Sequence, residues 1–320
     1  MEKIDLKDRK ILYHLDLDSR QPLSKIGKKV GLPKNVVSYR IKRLKEIGVI
    51  KNFFAVIDLH KLGYTILRFY FKYQYVTPEI KEEIINYFKK FKHAGIIHSV
   101  EGSYDLVIYM FIKNVNEFYP LWEETLSKYR NYFSTQKLSH YYREFCYNNA
   151  FLLNNNLNRK RVEIFKGINK VEIDDIDVKI IKILASNART PASDIAKKLK
   201  LSTVTIANRI KKLIDREIIQ WFRTNIDFTK IGYRWYKVDI ALKDHKKLYQ
   251  IINYLKNNPN FISVDRTIGY VDLEIEFYLK DIGQIHKIME DLSIKFPNTI
   301  RNYEYIYVIE SNKYEYFPTV

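Results

Sequence analysis

Val37, Ile41 and Leu44 recur at i, i+4 and i+7, a spacing that buries one stripe of a short helix and turns its other side to water. On that outward side stand Asn35, Tyr39, Lys42 and Arg43, with Ser38 at its edge and Arg40 in the same run. Lys and Arg reach phosphates or guanine edges, Asn pairs with adenine, and Tyr meets a thymine methyl. The chemistry on offer is contact with duplex DNA. A second run presents Val204, Asn208, Lys211 and Lys212 on the equivalent face, with Arg209 beside them. On a lone amphipathic helix a basic face is usually only a solvated surface, so the surrounding elements decide.

Those elements occur twice. The segment Ile4 to Tyr64 lies over Ile173 to Tyr233 without a gap, with about 24 of roughly 61 positions identical. Arg20-Gln-Pro-Leu-Ser24 answers Arg189-Thr-Pro-Ala-Ser193, and Arg40-Ile-Lys-Arg-Leu44 answers Arg209-Ile-Lys-Lys-Leu213. Each copy opens with three short helical patterns: one around Ile11, Leu12 and Leu15, one from Pro22 to Gly31, and the basic one ending near Gly48. Helix, tight turn and second helix with a basic outward face is the helix-turn-helix arrangement, whose second helix enters the major groove. The second copy carries Lys200 where the first has Gly31 and Glu217 where it has Gly48, which predicts a different turn there. It keeps Ser202 as a helix cap where the first copy has Pro33.

Composition agrees with a duplicated DNA-contacting chain. The 320 residues are 46% hydrophobic, enough for each half to bury a core. A formal charge of +18 draws polyanions. Residues 1 to 52 hold 14 Lys/Arg against 6 Asp/Glu, whereas residues 170 to 222 hold 11 against 7. The lone Cys146 excludes an intramolecular disulfide framework and a Cys-based zinc site and fits a reducing cytoplasm. No apolar run approaches a membrane span, so no membrane partner is expected. The seven histidines lack a metal-ligand spacing, no catalytic Ser-His-Asp order appears, and ten glycines leave no phosphate-cradling loop. No metal, cofactor or catalytic residue is therefore expected.

Downstream of each helical trio the pattern alternates. Tyr64 to Tyr75 reads as strand, Pro78 to Phe91 as helix, Ile96 to Val100 and Leu106 to Ile112 as strands, Glu117 to Tyr132 as helix and Lys137 to Tyr147 as strand. The second half repeats this from Tyr233 to Glu310. The fold class is α+β: two tandem copies of a helix-turn-helix (winged-helix-like) domain followed by a ferredoxin-like βαββαβ domain. Domain boundaries fall at 1–52, 53–150, 171–221 and 222–320, with a linker at 151–170 that holds the Asn154-Asn-Asn run and Arg159-Lys-Arg161.

The ordered run Leu32, Arg40-Ile-Lys-Arg-Leu44, Gly48-Val-Ile50, Ile57-Asp58 and Leu62-Gly63, followed by βαββαβ with a Gly102-x-Tyr104-Asp105 turn, resembles the Lrp/AsnC (leucine-responsive/asparagine-regulator) transcription regulators. The second copy matches through Leu201-Ser202, Ile226-Asp227, Ile231-Gly232 and Gly269-x-x-Asp272, so the resemblance covers nearly the whole chain apart from the linker. It implies that each βαββαβ unit is a RAM domain, which in that family pairs sheet against sheet and binds small effectors, typically amino acids, where dimers meet. The two RAM halves would then form a pseudo-dimer within one chain, with homo-oligomers above it. Gly102, Tyr104, Asp105, Gly269 and Asp272 are the effector candidates; the plainer reading is that Gly turns the hairpin and Asp bonds its backbone. Two rival functions stand beside sequence-specific regulation. Siroheme decarboxylases resemble the same fold, so His and Arg residues could hold a tetrapyrrole; an effector-independent architectural DNA binder is the other.

Overall fold

Asp5 and Asp8 tie off the first helix reciprocally, each side chain accepting from the other's amide, so that α1 (Leu6–Leu17) starts on a capping box. α2 (Leu23–Val30) and α3 (Lys34–Glu46) follow, and β1 (Ile50–Ile57) leaves the trio. The computed structural model describes residues 2–153, 159–165 and 170–318. Next come β2 (Thr65–Tyr73), α4 (Pro78–Lys89), β3 (Ala94–Gly102), β4 (Leu106–Ile112), α5 (Tyr119–Tyr129) and β5 (Phe133–Tyr147), in the expected β-α-β-β-α-β order. After β6 (Arg161–Ile164) the pattern recurs. α6 (Asp175–Ser186), α7 (Ala192–Leu199), α8 (Thr203–Asp215) and β7 (Ile219–Ile226) are followed by β8 (Arg234–Leu242), α9 (Leu248–Leu255), β9 (Phe261–Ile268), β10 (Leu273–Leu279), α10 (Gly283–Lys295) and β11 (Ile300–Tyr314).

The second helical trio does not turn differently from the first. Gly31 and Gly48 sit at φ 66° and 75°, and Lys200 and Glu217 take the same left-handed conformation at φ 56°. A side chain there costs roughly 1 kcal/mol, which the packing of the trio overrides. The caps diverge as the sequence indicates: Ser202 accepts from the Thr205 amide, whereas Pro33 offers no side-chain cap.

The two βαββαβ halves pair edge to edge and close on themselves. Strand order runs β2-β4-β3-β11-β8-β10-β9-β5, and β5 pairs back with β2, giving an eight-stranded barrel with β6 attached outside β5. The seams between halves are β3–β11 and β5–β9. Apolar residues of each half pack outward under its own helices, one core around Phe71, Phe88 and Ile108 and the other around Val238, Ile251 and Phe277. The opposite faces of the strands meet inside the barrel.

β1 and β7 cross the barrel's end as an antiparallel ribbon. Each module leans on the other's strand. The Ser19 amide donates to the Phe222 carbonyl and the Ala188 amide to the Phe53 carbonyl, at 2.9 and 2.8 Å. Arg20 donates to the Ala188 and Thr190 carbonyls and stacks on Phe222; Arg189 donates to the Ser19 and Gln21 carbonyls and stacks on Phe53. The matched Arg20 and Arg189 motifs therefore fix the modules to each other.

The described residues of the linker pack against the rest of the chain. The Asn154-Asn-Asn run lies outside the described residues. Arg159 donates to the carbonyls of Lys256, Asn258 and Phe261, and Val162, Ile164 and Phe165 are buried.

Candidate DNA-binding faces and a central cavity

On α3, Asn35, Ser38, Tyr39 and Lys42 are exposed, Tyr39 at 67%. Arg40 and Arg43 are otherwise engaged. Arg40 Nη1 lies 2.8 Å from Asp5 Oδ2 and 2.9 Å from Asp8 Oδ1, and Arg43 Nη2 is 2.5 Å from Asp8 Oδ2. Asp8 is fully buried, so these guanidiniums anchor α3 to the start of α1. α8 repeats the arrangement once: Arg209 pairs with Asp174 and Asp177, both at 2.8 Å, while Asn208, Lys211 and Lys212 are exposed. Of ten DNA-contact candidates, the structure leaves Asn35, Ser38, Tyr39, Lys42, Asn208, Lys211 and Lys212 turned to solvent and ties Arg40, Arg43 and Arg209 into the modules.

The hairpin-turn residues are structural in their visible contacts. Gly102, at φ 123°, packs so closely on β11 that a Cβ would strike the Tyr305 carbonyl. Asp105 accepts from the Tyr73 amide at 2.8 Å, and Asp272 accepts from the Leu242 amide at 2.7 Å. Tyr104, 2% exposed, donates to Glu304 at 2.9 Å, beside Tyr270 and Lys137. These groups seal the barrel end remote from the helical modules. Gly102 and Gly269 alone of the five effector candidates are exposed.

The barrel interior is charged. Among the described residues two cations, Arg68 and Lys237, face five carboxyls: Glu144, Asp239, Asp265, Glu274 and Glu276. Arg68, 1% exposed, reaches Glu274 at 2.7 Å, Asp265 at 3.1 Å and Glu276 at 3.3 Å. Lys237 reaches Glu274 at 2.9 Å and also holds Asp239. Burial would raise Glu274, but Lys237 and Arg68 overcome it and hold that carboxyl down at about 2. Other carboxyls move the opposite way. Burial lifts Glu144 to about 7, and burial together with the Glu144 charge raises Asp265 well above the carboxylate range.

Where this interior meets the β1–β7 ribbon there is a cavity of about 550 Å³, inside the size range of small-molecule sites. Arg68, His98, Glu144 and Glu276 face it from the barrel, and Phe54 and Arg223 close it from the ribbon. Arg223 is balanced by Asp16 at 2.8 Å. The Cys146 thiol donates to Glu144 at 2.7 Å. His98 is 2% exposed and neither ring nitrogen has a hydrogen-bond partner; burial and the nearby Arg68 push it down to about 3, so it is neutral.

No local motif marks this site in the sequence. In β10 the run Leu273-Glu-Ile-Glu-Phe277 alternates apolar and acidic residues, which ordinarily signals a strand with one wet face. The signal was present, but barrel closure makes that face internal.

A DNA-facing helix pair presented twice on a joined RAM barrel defines a helix-turn-helix regulator. Residues 173–214 match the AsnC-type helix-turn-helix domain, and residues 4–51 match a winged helix-turn-helix DNA-binding domain. Over 118 residues, 36% of this chain and 74% of the relative, it is 33% identical to the HTH-type transcriptional regulator FL11 of Pyrococcus horikoshii. It is 35% identical over the same shares to FL11 of Pyrococcus furiosus. The regulator Ptr1 of Methanocaldococcus jannaschii is 29% identical over 37% of this chain and 80% of its own. The chain belongs to the Lrp/AsnC family and is a DNA-binding transcription regulator. The solved siroheme decarboxylase NirDL shares the fold along 97% of this chain and 93% of its own, with TM-score 0.65 and 14% identity.

Proposed function

We propose that one chain binds duplex DNA as an internal pseudo-dimer, α3 and α8 addressing two major-groove segments about one helical turn apart. The observation that carries this is the reciprocal exchange across the ribbon, Arg20 to Ala188 and Thr190 against Arg189 to Ser19 and Gln21, which holds the two heads in one relation. The first head supplies most of the affinity, since it has the larger surplus of positive charge and the exposed Tyr39. Affinity for duplex fragments selected from a genome should fall steeply as salt rises; absence of duplex binding at ~50 mM salt would overturn the reading. Regulation by an amino acid belongs to the same proposal: further association of chains through the exposed Gly102 and Gly269 turns would enclose an effector site near Tyr104, Asp105 and Asp272. Light scattering with and without added amino acids tests it, an unchanged mass in every case counting against it.

A second reading is favoured by the full-length fold match together with the cavity that holds His98, Arg68 and Arg223: an enzyme acting on a tetrapyrrole. Both guanidiniums are already ion-paired and the interior has surplus carboxyls, which opposes a substrate rich in carboxylates. A Soret shift on adding iron-uroporphyrin, lost in His98→Phe, would support this reading over the first.

A further inference from the structure

We propose that the central cavity binds a small organic cation, a primary amine on an apolar or aromatic body, with its ammonium held between Glu144 and Glu276. This goes beyond DNA reading and does not depend on it. The charge balance is the first argument. Arg68 lies closest to Glu274 and Asp265, Lys237 is taken by Asp239 and Glu274, and Arg223 by Asp16. Glu144 is left with the Cys146 thiol, and Glu276 with the Ser263 hydroxyl at 2.8 Å and the long contact to Arg68. Both carboxyls line the cavity. An ionised carboxylate out of water needs a counter-charge, and here the protein supplies too few.

His98 is the second, independent observation. It faces the cavity with two unsatisfied nitrogens, one able to accept from an ammonium and one able to donate to a polar group on the same ligand. The remaining wall suits an organic body: Tyr109, Tyr141 and Trp235 border the space, and aromatic faces attract cations. A bare metal ion fits less well, since among the described residues no three His, Cys, Asp or Glu side chains are placed to hold one. Proton uptake by Glu144 and Asp265 in the unliganded barrel accords with the same surplus, and an arriving ammonium would displace a proton there. Glu276, Asp265, Arg68, Arg223, the Cys146 thiol and the phenols of Tyr314 and Tyr316 are the charged and titratable groups around Glu144 that set this exchange.

The test uses the full-length protein with tyramine, agmatine and spermidine as probes and succinate as the anionic control, followed by calorimetry and thermal unfolding. At least one amine should bind one per chain, raise the melting temperature and release a proton near neutral pH. Glu144→Gln and Glu276→Gln should each weaken that amine at least tenfold, and Glu144→Gln should raise the melting temperature of the unliganded protein, because a surplus buried acid is removed. His98→Phe should weaken binding while leaving the fold intact. No binding by any of the three amines, parental affinity in both Gln variants, or tighter binding of succinate would each overturn the inference. DNA binding measured on the same preparations separates the two readings: intact DNA affinity without amine binding removes this site alone, and amine binding without DNA affinity removes the regulator's operator contact alone.

Discussion

The two repeats agree at their DNA-facing helices and disagree inside the barrel. Arg40 and Arg209 anchor to equivalent acids, and Arg20 and Arg189 make mirrored contacts. Along the inner strands the same register reads differently. Tyr64 answers Tyr233, so Arg68 answers Lys237 and Tyr70 answers Asp239; Gly102 answers Gly269, so His98 answers Asp265, Val107 answers Glu274 and Tyr109 answers Glu276. The first half contributes Arg68 and Glu144, and the second contributes Lys237 with four acids, Asp239, Asp265, Glu274 and Glu276. A symmetric pair built from two copies of either half would not hold this arrangement, because like charges would face each other across the axis. Fusion of the halves lets the interior become asymmetric while the reading heads keep one geometry and differ in charge.

The largest effect that could break this comparison is at the cations. Arg68→Met should destabilise the chain by about 3–5 kcal/mol in denaturant unfolding, since it leaves Asp265, Glu274 and Glu276 facing Lys237 alone. Lys237→Met should cost less, Arg68 remaining in contact with Glu274. Equal losses would mean the halves are interchangeable.

A smaller effect follows from Glu144. Its folded pKa, near 7, lies above the value for an unfolded Glu, so the folded state binds the extra proton and this group removes stability as pH rises between the two values. The melting temperature of Glu144→Gln should therefore exceed that of the parent by a margin that widens from about pH 5 to about pH 8. A constant margin would place Glu144 in contact with water.

The smallest effect concerns the turns. Lys200→Gly should stabilise by up to ~1 kcal/mol and Gly31→Ala should destabilise by a similar amount, both seats being left-handed. Thermal unfolding of the two variants checks the sign.

The helical trios and the βαββαβ order were legible because they are local: Val37, Ile41 and Leu44 mark a helix by spacing alone, and Pro78 marks a helix start. What was not legible depends on pairings far apart in the chain. Arg68 meets Glu274 across 206 residues, and β5 meets β9 only because the barrel closes. The same holds for α3, where spacing placed Arg43 on the outward face but could not show that Asp8 of α1 lies within reach of it. Turn residues such as Asp105 were identified, but their role as bonds to strand ends required the neighbouring strand.

The claim that one chain carries two unequal reading heads is tested most directly by salt-dependent binding to a selected operator. Asn35, Tyr39 and Lys42 are replaced by Ala in one variant and the equivalent Val204, Asn208 and Lys211 in another, one cation from each head, leaving the paired Arg40, Arg43 and Arg209 in place. Loss of either head's contacts should flatten the dependence of affinity on salt, with the larger loss of affinity in the first variant and one chain bound per operator. Equal losses, or a larger loss in the second variant, would contradict the account.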